Sequence, residues 1–341
     1  MKKIVRIVAI FSLLSIISSF QISAFAQSDI KAKIKALKPK DYPTDPIEFV
    51  VSFPAGGGMD VTARVLAKYV EKYIDHRIVV INKSGASGFI GNTYLATQAR
   101  NDGYTVGILA AVLQDDLLRA KGKWSYKNLE AVALINDDPN TWIVTTDGGF
   151  KDKSLKEVIE LAKQKPDTIR VAVLSDISPD FLVDHVEMIS GAKFTKVPFL
   201  GGAPAITAVL GGHIEIAGFY YPEYKGYLES GKVRVLGVAR TGRSAYFPNT
   251  PTFDEVLGVN EIVWSAWRYA AVPKGTPPER IRYLEAAILA ALQDPECIKE
   301  YDKFGVKVDP KTMGAKQTEN ELEKQYKFSK EFFIKTGRIP K

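Results

Sequence analysis

The residues best suited to chemistry lie in Phe53-Pro54-Ala55-Gly56-Gly57-Gly58-Met59-Asp60, between a β-branched run and a helical pattern. Three consecutive glycines let the backbone turn tightly and let a ligand reach main-chain N–H groups without meeting a Cβ. Asp60 is placed to cap the helix, and the free N–H groups of a helix start form an anion site. The device recurs at Ser84-Gly85-Ala86-Ser87-Gly88 and again at Leu200-Gly201-Gly202-Ala203-Pro204, where Pro204 suits a first helical turn. None is a nucleotide loop: G-x-x-x-x-G-K-[ST] is absent, and G-x-G-x-x-G fails at Val61. Three such loops describe a cleft lined by donors, and the expected chemistry is capture of a small anion.

Catalysis fares poorly beside this. Gly85-Ala86-Ser87-Gly88 lacks the G-x-S-x-G spacing of a nucleophile elbow. Ser190-Gly191-Ala192-Lys193 matches S-x-x-K, but Gly191 reads as a helix stop. His76, His185 and His213 are scattered and read as surface or turn residues, and Cys297 as a packing or solvent-facing thiol. One cysteine and three histidines support no metal centre, and no cofactor is expected.

The elements that must position the loops alternate in type. Strands are expected at Ile47 to Phe53, Arg77 to Asn82 and Thr105 to Ala110, with helices after the first two; Val61, Val65, Leu66, Tyr69, Val70 and Tyr73 mark the face of the first. A second unit follows. Its strands are expected at Ile169 to Leu174, Phe194 to Pro198, Ile214 to Gly218 and Val233 to Val238, and its helices at Ser154 to Lys165, Asp180 to Ile189 and Pro204 to Leu210. Ser154 and Glu157 form a capping box. A further extended run covers Ile262 to Val272, a helix opens at Pro277-Pro278-Glu279, and a charged amphipathic helix closes the chain. Such alternation predicts an α/β protein with doubly wound sheets. Ligands of open α/β sheets sit outside the carboxyl ends of the strands, so the first two glycine loops should face one crevice.

Length and charge agree with a two-domain binding protein. The 341 residues are enough for about two domains. Residues 1–26 read as an export signal: Lys2, Lys3 and Arg6, then the apolar stretch Ile7 to Ile17, then Ala24-Phe25-Ala26. Removing three bases and no acid lowers the formal charge from +7 to +4, a weak footprint that makes nucleic acid an unexpected partner. Residues 27–45 read as a polar lead that tethers the first strand.

Several segments together resemble the solute receptors of tripartite tricarboxylate transporters, the Bug family. They are Tyr42-Pro43 through Ile47, Phe53 to Asp60, Asn82 to Gly91, Asp102-Gly103-Tyr104-Thr105, Val197 to Ala205, Leu210-Gly211-Gly212-His213, Gly231-Lys232-Val233-Arg234, Pro248 to Thr252 and Gly275-Thr276-Pro277-Pro278. The resemblance implies a two-lobed periplasmic binding protein fold, type II-like, with two doubly wound mixed sheets joined by two crossing strands near Ala131 to Asp137 and Glu261 to Ala271. Lobe one would comprise 46–134 and 264–341, and lobe two 135–263. A carboxylate would be held chiefly by main-chain N–H groups of Ala55, Gly56, Gly57, Gly58, Met59 and Asp60 and of Ala86, Ser87, Gly88 and Phe89, with no obligatory arginine. Phe53, Ala111, Ser178, Phe181, Gly201, Gly202, Ala203, Phe219 and Tyr220 would complete the site. The implied partners are a small carboxylate and membrane transporter subunits, with the receptor a periplasmic monomer.

Four departures from the family pattern bear on the ligand. Met59, Phe89, Phe181 and Phe219 stand where polar residues are usual, which favours a ligand with an apolar or aromatic body. A compact di- or tricarboxylate such as citrate is the alternative ligand, and service to a membrane histidine kinase the alternative role.

Overall fold

A computed structural model describes residues 27–244, 246–308 and 313–340. The export signal lies outside these residues. Two five-stranded mixed sheets carry the chain. Sheet one contains β1 (Ile47–Val51), β2 (Ile78–Asn82), β3 (Thr105–Leu109), β4 (Leu129–Pro139) and β10 (Ser265–Pro273), in the order β2-β1-β3-β10-β4. Sheet two contains β5 (Thr141–Thr145), β6 (Arg170–Val173), β7 (Thr195–Pro198), β8 (Ile216–Phe219) and β9 (Val233–Val238), in the order β7-β6-β8-β5-β9. Each sheet has three parallel strands, then an antiparallel fourth, then a fifth antiparallel to that. β3 is buried along its whole length, as expected of a strand covered on both faces.

Two lobes follow from the two sheets, and the crossings lie side by side. β4 and β10 pair antiparallel in sheet one, and Asn140 alone separates β4 from β5. At the junction, the Asn140 N–H donates to the Trp264 carbonyl at 2.8 Å, and the Ala239 N–H donates to the Asn140 carbonyl at 2.9 Å.

Helices cover the sheets. Lobe one has α1 (27–37), α2 (Gly58–Ile74), α3 (Phe89–Thr97), α4 (Val112–Gln114, continuing as a wider turn over Asp115–Arg119), α10 (Pro278–Gln293) and α11 (Pro295–Lys303). Lobe two has α5 (Leu155–Gln164), α6 (Ser178–Ser190), α7 (Gly202–Leu210), α8 (Tyr221–Glu229) and α9 (Phe253–Leu257). The predicted face of α2 is buried except for half-buried Val61, and its left-handed Asp75 returns an N–H to the Glu71 carbonyl and stops it. The Ser154 capping box is present.

Two expectations need correction. The lead is not a tether: 27–37 is helical, and Ile34 is buried in the lobe-one core beside Tyr42. The closing helix α12 (Ala315–Lys335) is shared between lobes. Leu322 and Tyr326 pack with Leu109, Trp124 and Tyr269, whereas Phe328, Phe332 and Phe333 pack with Trp142, Phe181 and Trp264. Beyond the helix, Arg338 pairs with Asp176, Asp180 and Asp184 of lobe two, and Lys196 joins Asp180 and Asp184. Placing all of 264–341 in lobe one misses this strap.

Candidate functional site

The first junction is built by a carboxylate that faces away from the cleft. Asp60 is not the helix cap: Gly57 occupies that position, and Asp60 sits in the first turn. Its carboxylate accepts from the Gly56 N–H at 2.9 Å, Arg64 Nε at 2.9 Å and Asn82 Nδ2 at 3.0 Å. Burial opposes the charge, but the Arg64, Gly56 and Asn82 donors outweigh it and hold the carboxyl below its usual range. Asn82 also donates to the Phe53 carbonyl at 3.0 Å. Asp60 thereby pins both ends of the glycine turn and leaves its outer face to the cleft.

The second junction is held in an unusual backbone. Gly85, Ala86, Ser87 and Gly88 all have positive φ, which costs about 1–3 kcal/mol at each non-glycine residue. A chain of polar contacts supports it. Ser52 Oγ donates to Asn92 Oδ1 at 2.6 Å, and Asn92 Nδ2 donates to the buried Asp115 carboxylate at 2.7 Å. Asp115 pairs with Arg119, whose guanidinium donates to the Ala86 carbonyl. A Cβ on Gly88 would lie 2.9 Å from the Phe53 ring, so glycine there lets the two junctions touch.

Between the lobes lies a cavity of about 770 Å³. Small-molecule sites span about 300–1,000 Å³. Lobe one contributes Phe53, Ala55, Gly56, Gly57, Gly58, Met59, Ser87 and Ala111, and lobe two Ser178, Gly201, Gly202, Ala203 and Tyr220, all foreseen from the sequence. The cavity also reaches residues that sequence reasoning missed: the crossing-strand run Val263 to Tyr269, Glu223 on α8, and Leu322, Gln325 and Ser329 on α12. The extended run at Ile262 to Val272 was legible as a strand, but not its exposure to the cleft. Leu322, Gln325 and Ser329 share one helix face by spacing, a signal that the charge of α12 obscures.

A model of the tripartite tricarboxylate transporter family receptor, TctC, matches residues 62–337. The chain belongs to the TctC family. It is 32% identical to Protein BugT of Bordetella pertussis (strain Tohama I) over 86% of this chain and 88% of that one. Among solved structures, the periplasmic binding protein BugD is 28% identical with a TM-score of 0.77, covering 87% of this chain and 99% of BugD. The R. palustris protein Rpa4515, determined with adipate, is 24% identical with a TM-score of 0.78 over 87% of this chain and 99% of its own, and shares the fold. TctC proteins are periplasmic solute receptors and not enzymes.

Six foreseen residues do not line this TctC cavity. Asp60 faces inward to Gly56 and Arg64, and the Ala86 carbonyl is taken by Arg119. Gly88 packs on Phe53, and Phe89 stacks on Trp124 at 6.0 Å between ring centres. Phe181 is fully buried among Trp264, Phe332 and Phe333, with the Arg338 guanidinium 4.8 Å from its ring centre. Phe219 belongs to the lobe-two core. Of the four apolar departures only Met59 reaches the cleft. Nor is His185 a surface residue: it is buried, and Trp264 Nε1 donates to its Nδ1 at 3.0 Å. Burial of Cys297 makes its role packing.

Proposed function

We propose that this TctC receptor captures a carboxylate with an apolar or aromatic body in the periplasm and delivers it, as a monomer, to a tripartite tricarboxylate-type membrane transporter. Residues 1–26 serve as its removable export signal. The observation that carries the reading is the composition of the cavity: the Gly56–Gly58 turn at one wall, and Phe53, Met59, Leu113, Trp267 and Leu322 among the residues around the remaining space. Hydrogen bonds to a charged acceptor contribute about 1.5–3 kcal/mol each. Three or four supply the roughly 8 kcal/mol of a micromolar site. Buried apolar surface adds about 25 cal/mol per Å², a gain that citrate cannot collect.

Both lobes supply wall, so a ligand bridging them favours the closed arrangement of a hinged pair. Calorimetry with benzoate, phthalate, adipate and citrate tests the ligand class. Micromolar binding of the aromatic acids ahead of citrate is expected; tight citrate binding with no aromatic binding would end the apolar-body reading.

A further inference from the structure

The sequence supports a site made of main-chain donors with no arginine, yet the cavity wall holds one. Arg268 lies on β10, the crossing strand, and is 2% exposed, so its charge is almost wholly withdrawn from bulk water. Its Nη1 stands 2.9 Å from Oδ2 of Asp138, itself buried on β4. Neither its Nε nor its Nη1 has a hydrogen-bond partner among the described residues, so the contact with Asp138 is an ion pair without hydrogen-bond geometry. Its Nη2 lies 3.3 Å from the point a Cβ on Gly58 would occupy. The guanidinium thus spans from Asp138 to the glycine turn, at the place where a ligand would meet the N–H groups of α2.

A buried arginine with an unused donor is costly, because desolvation is repaid only when its hydrogen bonds are made. Asp138 repays part of this. A planar carboxylate can accept two parallel bonds from one guanidinium edge, a geometry that a lysine or a main-chain amide alone does not offer. Glycine at 58 fits the same account, since a side chain there would press on Nη2 and narrow the approach.

We propose that Arg268 is a ligand-binding, specificity-determining residue: its guanidinium and the Gly57–Gly58 turn together receive the carboxylate of the ligand. This deepens the proposed function and rests on it. The consequence is discrimination by charge. The site prefers an acid over its neutral amide of the same shape, because an amide leaves the guanidinium short of a charged acceptor.

The test compares benzoate with benzamide, phthalate with phthalamide and adipate with adipamide by calorimetry. Removing Arg268 alone strands Asp138, so Arg268→Gln is paired with the double variant Arg268→Gln/Asp138→Asn, which removes both charges. Arg268→Lys is the conservative control. In both glutamine variants the acids should weaken at least 30-fold and the amides less than twofold, with Arg268→Lys in between. If the double variant binds the acids as the unmodified protein does, Arg268 only neutralises Asp138 and the proposal falls. Equal weakening of acids and amides also overturns it, since that marks a structural role. If the unmodified protein binds none of the three acids, the proposed ligand class fails, and the Arg268 assignment with it.

Discussion

The glycine turns of the two lobes look alike in sequence and differ in chemistry. In lobe one, Gly56-Gly57-Gly58 opens α2, and the nearby acid, Asp60, points back into the turn's own support. In lobe two, Gly201-Gly202 opens α7, and the nearby acid comes from another helix. Glu223, on α8, accepts from the Tyr220 N–H at 3.2 Å, and a Cβ on Gly202 would meet its carboxyl carbon at 2.6 Å. In the lobe-one turn the Gly56 N–H donates to Asp60 and the Gly57 N–H to the Pro54 carbonyl, which leaves the first amides of α2 as the donors on offer, while the lobe-two turn is backed against a carboxyl group. Glycine is needed in the first for ligand access and in the second for room beside Glu223. Under the proposed function, anion capture belongs to lobe one, with lobe two closing over the body of the ligand.

The sharpest way to break this contrast is Gly57→Val. Gly57 has φ −81° and ψ 171°, which valine adopts without strain, and a Cβ there meets only the Pro54 carbonyl oxygen, at 3.4 Å. Folding should survive with a stability loss of no more than about 1 kcal/mol from the poorer cap. Carboxylate affinity should fall by about 100-fold, since the branch covers the amides that hold the charge. Thermal melts and calorimetry on one preparation check both halves. A variant that binds normally would put the acid group elsewhere.

Protonation separates the lobes more gently. Asp60 is held below its usual range, so the support of the lobe-one turn keeps its charge near neutrality. Burial pushes the Glu223 carboxyl up to about 7; the Tyr220 N–H and Arg268 oppose that shift and Asp138 adds to it. Asp138 rises to about 6, again by burial, with Arg268 opposing. A raised carboxyl binds its proton more tightly in the folded protein, so its stabilising contribution is complete below about 4.5 and is lost as pH climbs through 7. An anionic ligand also prefers its neighbours neutral. Affinity for benzoate, which stays ionised throughout, should rise roughly five- to tenfold from pH 8 to pH 6. In Glu223→Gln most of that slope should vanish; an unchanged slope would mean that Glu223 does not sense the ligand.

How much of this was legible follows from the range of each interaction. The expected strands and helices came from local periodicity, and the Ser154 box from a three-residue spacing, and these appear in the fold; β5, α8, α9 and α11, which are short, were not expected. Met59, Ser87 and the glycine turns at 56–58 and 201–202 could be placed in the cleft because they sit at strand ends. Phe181 could not be excluded from it by the same logic, because α12 and Arg338 cover it from more than 140 positions away in sequence. Arg268 was hidden for a related reason. In a crossing strand that reads as a continuous apolar run, one arginine looks like an edge residue until Asp138 and Gly58 are seen on either side of it. The polar composition of α1 conceals its contacts with the core, at buried Ile34 and half-buried Ile30.

The smallest expected effect is the one that tests the contrast from the other side. Gly201 has φ −179°, ordinary extended backbone, and a Cβ there meets nothing within 4 Å. Gly201→Ala should therefore leave the melting temperature unchanged and alter carboxylate affinity by less than about twofold, near the limit of surface substitutions. Both glycines line the same cavity, so proximity to ligand alone predicts similar sensitivity at 57 and 201. Electrostatics predicts otherwise, because a methyl at 57 stands at the start of α2, whose first amides lack helical acceptors, while one at 201 stands beside a turn already facing Glu223. Equal losses from alanine at the two positions would show that the lobes share the charge, and would return the lobe-two turn to the anion site.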